Sequence, residues 1–175
     1  MPPVFVTIRA TIYATAFVGL WAWLAVTVQP FDAWLGVGIP RWVVAAGVTT
    51  GAFGAALIVA CISAFVQAGR GTPAPFDPPR EFVTSGPYHV VRNPMYVGGF
   101  AVIVGAGLAL RSISIVGLGL AFLLLAHLFV VYYEEPQLER RFGANYLEYK
   151  GRVGRWFPKR DTDAGNARTE ADRRP

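Results

Sequence analysis

Cysteine, histidine and charge are all scarce in this chain. Its 175 residues include one cysteine (Cys61) and two histidines (His89 and His127), and 15% are charged. A single cysteine, set inside an apolar run, excludes an internal disulfide framework and a thiolate metal cluster, and no metal site is expected. So little charge, beside a hydrophobic fraction of 54% and a mean hydropathy of +0.41, argues against an ordinary soluble domain. The charge that exists is unevenly placed. Residues 1–133 hold six of the sixteen Lys and Arg and three of the eleven Asp and Glu (Asp32, Asp77, Glu81), and residues 134–175 hold the rest. Two thirds of the charged residues thus lie in the last quarter, while the net charge of +5 is shared between the two parts, and neither it nor the pI of about 9.7 by itself indicates nucleic acid.

What the sequence has in abundance is long apolar runs: residues 10–28, 42–66, 96–110 and 113–133. At about 1.5 Å per residue the first, second and fourth reach roughly 28, 37 and 31 Å, enough for a hydrocarbon core of about 30 Å. The third reaches only about 22 Å, but just Arg111 and Ser112 separate it from the fourth, so the two read as one tight helical hairpin. The first run has no small-residue cleavage pattern and is read as a membrane helix rather than a signal peptide. Gly47-x-x-x-Gly51 and Gly105-x-x-x-Ala109 have the spacing that lets helix backbones approach closely, within one bundle before any dimer seam.

The expected fold is an all-α integral membrane protein of four transmembrane helices, the last two a hairpin, followed by an amphipathic helix. With four spans both termini share a side, and that side collects fourteen Lys and Arg against Arg41 and Arg111 on the other. The positive-inside rule then puts both termini, the central loop and the tail in the cytoplasm. Three regions follow: two membrane helices in 1–66, a catalytic region in 67–158, and a polar, disordered tail in 159–175.

The chemistry is expected in the loop and after the last span. Residues 69–81 contain Gly69, Gly71, Pro73, Pro75, Pro78 and Pro79, which forbid a regular helix and stiffen the loop. Arg92-Asn93-Pro94 precedes the third span, and proline suits a helix's first turn. That reads either as a plain helix start or as a helix N-terminus which, with Arg92, holds an anionic group. Glu134 and Glu135 stand where the fourth span ends, either as headgroup-level solvation or as site carboxylates. His127 lies seven residues before Glu134, and both can face one side of that helix. It reads equally as a structural histidine or as a site residue. Leu138, Phe142, Tyr146 and Tyr149 mark the apolar stripe of an amphipathic helix on the cytoplasmic surface.

Gly86-Pro-Tyr-His-Val-Val-Arg-Asn-Pro-Met-Tyr-Val-Gly98, then a hairpin, then Glu134-Glu135 and Phe142-Gly-Ala-Asn-Tyr-Leu-Glu-Tyr149 resemble the isoprenylcysteine carboxyl methyltransferase and phospholipid methyltransferase family. The resemblance covers about residues 80–158. It implies S-adenosylmethionine as cofactor, with contacts falling on residues 80–83 (ending at Val83), Tyr88, Asn93, Pro94, Met95, Tyr96 and Glu134. It also implies a lipid-like or small hydrophobic methyl acceptor reaching the site from membrane lipid. On that reading Arg92 orients an anionic group, and His127 or Glu134 takes a proton from an amine or thiol acceptor. Asn93 and Val130 replace a histidine and an arginine of the prenylcysteine enzymes, which argues away from a prenylcysteine carboxylate. Two other classes stay open: a membrane reductase using a reduced nicotinamide cofactor, and a non-enzymatic four-helix transporter or assembly subunit.

Overall fold

In a computed structural model of the chain, residues 3–67 and 83–159 are described; the Pro-rich half of the loop and the tail beyond Lys159 lie outside them. The described residues form helices α1 (Pro3–Val28), α2 (Phe31–Leu35), α3 (Val43–Gln67), α4 (Pro94–Ala109), α5 (Ile113–Phe129), α6 (Glu135–Phe142) and α7 (Ala144–Arg152). Among these residues there is no sheet, only one parallel bridge between Val91 and Gly154. The fold is all-helical, as composition required. Two helices, Val43–Phe65 and Ile113–Phe142, are long and apolar enough to cross a membrane, and Thr15–Val28 and Pro94–Ala109 are shorter apolar helices.

The α3/α4 pair packs backbone against backbone. A Cβ on Gly54 would sit 2.6 Å from the Gly98 carbonyl oxygen, one on Gly47 2.8 Å from that of Gly105, and one on Gly105 2.6 Å from Gly51 Cα. Those separations admit no side chain, so both small-residue spacings serve this one seam. The α4/α5 hairpin turns at Arg111, whose φ is +58°, and its guanidinium Nε donates to the Ile39 carbonyl at 2.8 Å. Ser112 caps α5 by accepting from the Ile115 N–H at 3.2 Å, and Asp32 on α2 accepts from the Ser114 N–H at 2.8 Å. Both satisfy donors that a helix start leaves unpaired. A separate hydrogen bond, donated by the Ser112 hydroxyl to Asp32, holds that carboxyl below its usual range. Ser112→Ala should lower thermal stability in detergent by about 1 kcal/mol, the usual effect of losing an N-cap. Helix α1 lies against α5 through Phe17 and Trp21, whose rings meet Phe122 edge-on at 6.2 and 4.9 Å.

Two expectations are corrected past residue 129. The helix of the fourth run does not stop at Tyr133 but continues from Ile113 to Phe142. It does so through a π turn, Val130–Glu134, in which the Glu135 N–H bonds to the Val130 carbonyl, five residues back. Pro136 lacks an N–H and would clash with the carbonyl four residues earlier in a regular α-helix; the wider turn accommodates it. The 21 residues from Ile113 to Tyr133 rise roughly 31 Å at about 1.5 Å per residue, so the acidic pair stands about one hydrocarbon thickness from the start of the helix.

The single amphipathic helix is instead two, α6 and α7, broken at Gly143, whose φ of +52° suits glycine. Its apolar stripe does not face a surface. Tyr146, Tyr149 and Val153 are buried together, with Leu138 and Phe142 packed on them, so α6, α7 and the following segment share a small core of their own. This cap sits at the end of the bundle where the loop before α4 also arrives.

Candidate active site

At that end the chain brings together four pieces far apart in sequence: the segment before α4, the first turn of α4, the π turn, and residues 153–159. The bridge between Val91 and Gly154, with the Arg92 N–H donating to the Gly154 carbonyl at 2.8 Å, stitches the first piece to the last. Asn93 Nδ2 adds a bond to the Arg155 carbonyl at 3.3 Å. The Tyr149 hydroxyl donates to the Tyr88 carbonyl at 2.6 Å, and the Tyr88 ring meets Phe65 of α3 edge-on at 5.4 Å. Burial pushes the Tyr146 phenol up to about 12 and raises those of Tyr88 and Tyr149, so all three remain neutral hydrogen-bonding groups at physiological pH.

The two adjacent carboxylates have opposite surroundings. Glu135, 4% exposed, is gripped by Arg155 through Nε at 2.7 Å and Nη2 at 2.9 Å, by Arg92 Nη1 at 3.0 Å and by Lys150 at 3.5 Å. Paired, bidentate contacts of this kind are what make a buried charge tolerable. The bond to Glu135 in turn holds Arg155 above its ordinary value. Glu134 is half-buried, and its hydrogen bond comes from the Tyr96 hydroxyl at 2.9 Å. Among the described residues it has no cationic partner.

Around Glu134 stand aromatic rings. Tyr96 faces Trp156 at 6.4 Å and 71°, and lies 6.5 Å from Phe122. Trp156 Nε1 donates to His127 Nδ1 at 3.0 Å. With Nδ1 accepting, the neutral imidazole carries its proton on Nε2, so the lone pair a general base would use is already engaged.

The expected site residues are thus sorted by the fold. Tyr96 and Glu134 are directly bonded, and His127 joins them through Trp156. Tyr88, Asn93 and the buried Pro94 line the adjoining segment, Val83 is buried just before it, and Met95 is half-buried on the first turn of α4. Arg92 is turned to Glu135 and donates to the Tyr146 hydroxyl at 3.4 Å, while its Nε is buried without a hydrogen-bond partner among the described residues. Arg80, Glu81 and Phe82 lie outside the described residues. Sequence reasoning missed Glu135 as the anchoring carboxylate, and missed Arg155 and Trp156 altogether. The available signal was Arg155-Trp156-Phe157, an aromatic and basic run just before a tail without large apolar side chains.

An all-helical bundle with two helices long and apolar enough to cross a membrane, ending in a carboxylate and aromatic cluster under a small cap, has the build of a membrane protein with a polar site at a helix end. The phospholipid methyltransferase family model matches residues 42–145, from the start of α3 into α7. The chain therefore belongs to the phospholipid methyltransferase family, a family of membrane methyltransferases. It is also 39% identical over 80 residues to the nickel-cobalt-cadmium resistance protein NccN of Alcaligenes xylosoxydans xylosoxydans, a match covering 45% of this chain and 37% of that protein. The chain thus matches well under half the length of that relative. No solved structure gives a significant match.

Proposed function

We propose that the chain is an S-adenosylmethionine-dependent methyltransferase acting on a lipid-like or small hydrophobic acceptor at the cytoplasmic membrane face. It spans the bilayer four times, with both termini in the cytoplasm and residues 67–158 as the catalytic region. The observation that carries this reading is Glu134: a half-buried carboxylate with no cation beside it among the described residues, hydrogen-bonded by Tyr96, within a chain of this family. A carboxylate so placed fits a cationic, hydrogen-bond-donating ligand, and S-adenosylmethionine is both. Arg92 Nε, which has no hydrogen-bond partner among the described residues, and the first turn of α4 offer donors for an anionic group on the same ligand.

Bound there, S-adenosylmethionine would supply a methyl group whose carbon accepts a lone pair from the acceptor while the sulfur–carbon pair returns to sulfur. The residues' contribution is alignment and the exclusion of water. Tyr88, Asn93, Pro94, Met95 and Tyr96 shape one wall with Val83, and Glu134 forms hydrogen bonds across it. Arg92 acts through Glu135 by holding the cap in place. If the acceptor is an amine or thiol, Glu134 is the group placed to take its proton, since the His127 lone pair already accepts from Trp156. A membrane-dissolved acceptor would reach the same end of the bundle from the bilayer.

The test is transfer of label from methyl-labelled S-adenosylmethionine to three acceptor classes, namely bilayer lipid, prenyl thioethers and small thiols, by the chain in proteoliposomes. Label in at least one acceptor is expected. A folded protein that labels none of them would count against the proposed substrate range.

A further inference from the structure

Trp156 is the one large aromatic side chain of the C-terminal segment that reaches the candidate site. Its position is fixed from both sides. Arg155, its neighbour, is doubly bonded to Glu135, and the Val91–Gly154 bridge anchors the backbone just before it. On the ring itself, Nε1 is spent on His127 Nδ1 at 3.0 Å. What remains for other contacts is the rest of the indole ring, which has the His127 ring 6.1 Å away at 38°, in a residue that is half-buried as a whole. The indole stands 6.4 Å from the Tyr96 ring at 71°, and the Tyr96 hydroxyl bonds to Glu134 at 2.9 Å. A fixed indole, a second ring steeply inclined to it and a carboxylate without a cationic partner among the described residues form a receptor for a cation with apolar substituents. Ring faces attract such a cation electrostatically, and the carboxylate adds charge.

We infer that Trp156, with Tyr96 and Glu134, recognises the sulfonium of the methyl donor and so distinguishes the charged cofactor from its neutral thioether product. The inference rests on the proposed use of S-adenosylmethionine. It gives the C-terminal segment a binding role beyond closing the cap: after transfer the positive charge is gone, the attraction of the ring face falls, and the product is released in preference to the substrate. A tryptophan that merely anchored the segment through His127 would contribute equally to both ligands.

The experiment is equilibrium binding of S-adenosylmethionine and of S-adenosylhomocysteine to the full chain in detergent, for the wild type, Trp156→Leu and Trp156→Phe. Trp156→Leu should weaken S-adenosylmethionine roughly three- to thirtyfold, the range of a ring–cation contact, and leave S-adenosylhomocysteine within about threefold. Trp156→Phe keeps a π-surface without the donor to His127 and should retain most of the preference for the charged ligand. If Trp156→Leu does not fold, progressive fluorination of the indole at position 156 preserves its shape while draining its negative face, and the preference should fall step by step. Equal weakening of both ligands, or a preference indifferent to fluorination, overturns the assignment. Failure of the wild type to bind either ligand would instead overturn the cofactor reading beneath it.

Discussion

Glu135→Ala should destabilise the protein by about 3–5 kcal/mol, the usual consequence of removing one partner from a buried ion pair. The reason lies in what it leaves behind. The Arg92 side chain is 9% exposed and faces Glu135, so without that carboxylate its charge has no compensating partner among the described residues and little water. Arg155 is 30% exposed and recovers part of its hydration, so Arg92 carries most of the loss. Because Glu135 joins the segment before α4, α7 and residues 153–159, the damage should concentrate in the cap. Limited proteolysis in detergent should cut the Glu135→Ala protein near residues 153–159 at protease levels that leave the wild type intact, and thermal unfolding should give the free-energy difference. Glu135→Gln, which keeps hydrogen-bonding atoms and loses the charge, should fall between the two.

Glu134→Ala should behave in the opposite way. A half-buried carboxylate without a cation among the described residues costs desolvation that its hydrogen bond from Tyr96 only partly offsets, so its removal should leave stability within about 1 kcal/mol of wild type or raise it. Binding of S-adenosylmethionine should weaken roughly ten- to hundredfold, the scale of one lost hydrogen bond to a charged group. Tyr96→Phe should weaken it less, since the carboxylate stays in place. Two neighbouring residues of the same chemistry would thus separate cleanly, one by thermal unfolding and the other by binding. If Glu134→Ala were the destabilised variant and bound the cofactor normally, the roles of the pair would have to be exchanged.

Why this division is invisible in the sequence follows from helix geometry. Adjacent residues on a helix point about 100° apart, so Glu134 and Glu135 necessarily face different neighbours. Which face meets arginine depends on Arg155, twenty residues on, and on Arg92, from the other side of the hairpin. No spacing rule links those positions. The helical stretches were legible because an apolar run of adequate length has few alternatives, and the turn at Arg111-Ser112 because nothing longer fits between the third and fourth runs. The glycine seam was legible for a similar reason, the small residues recurring where α3 and α4 meet. The π turn was not, because Pro136 reads as a terminator until the geometry of the preceding turn is known. Nor was the break at Gly143, where the apolar stripe continues in phase from Phe142 to Tyr146 while the backbone does not. His127 and Glu134 were expected on one face of a regular helix. They meet instead through Trp156 and Tyr96, a link that crosses from α5 to the C-terminal segment and then to α4.

These contrasts rest on one claim, that the end of the bundle around Tyr96 and Glu134 is a cofactor site. Calorimetric titration of the purified chain in detergent with S-adenosylmethionine tests it most directly. Saturable binding at one site per chain is the predicted result. No binding by protein whose thermal unfolding shows the fold to be intact would contradict it.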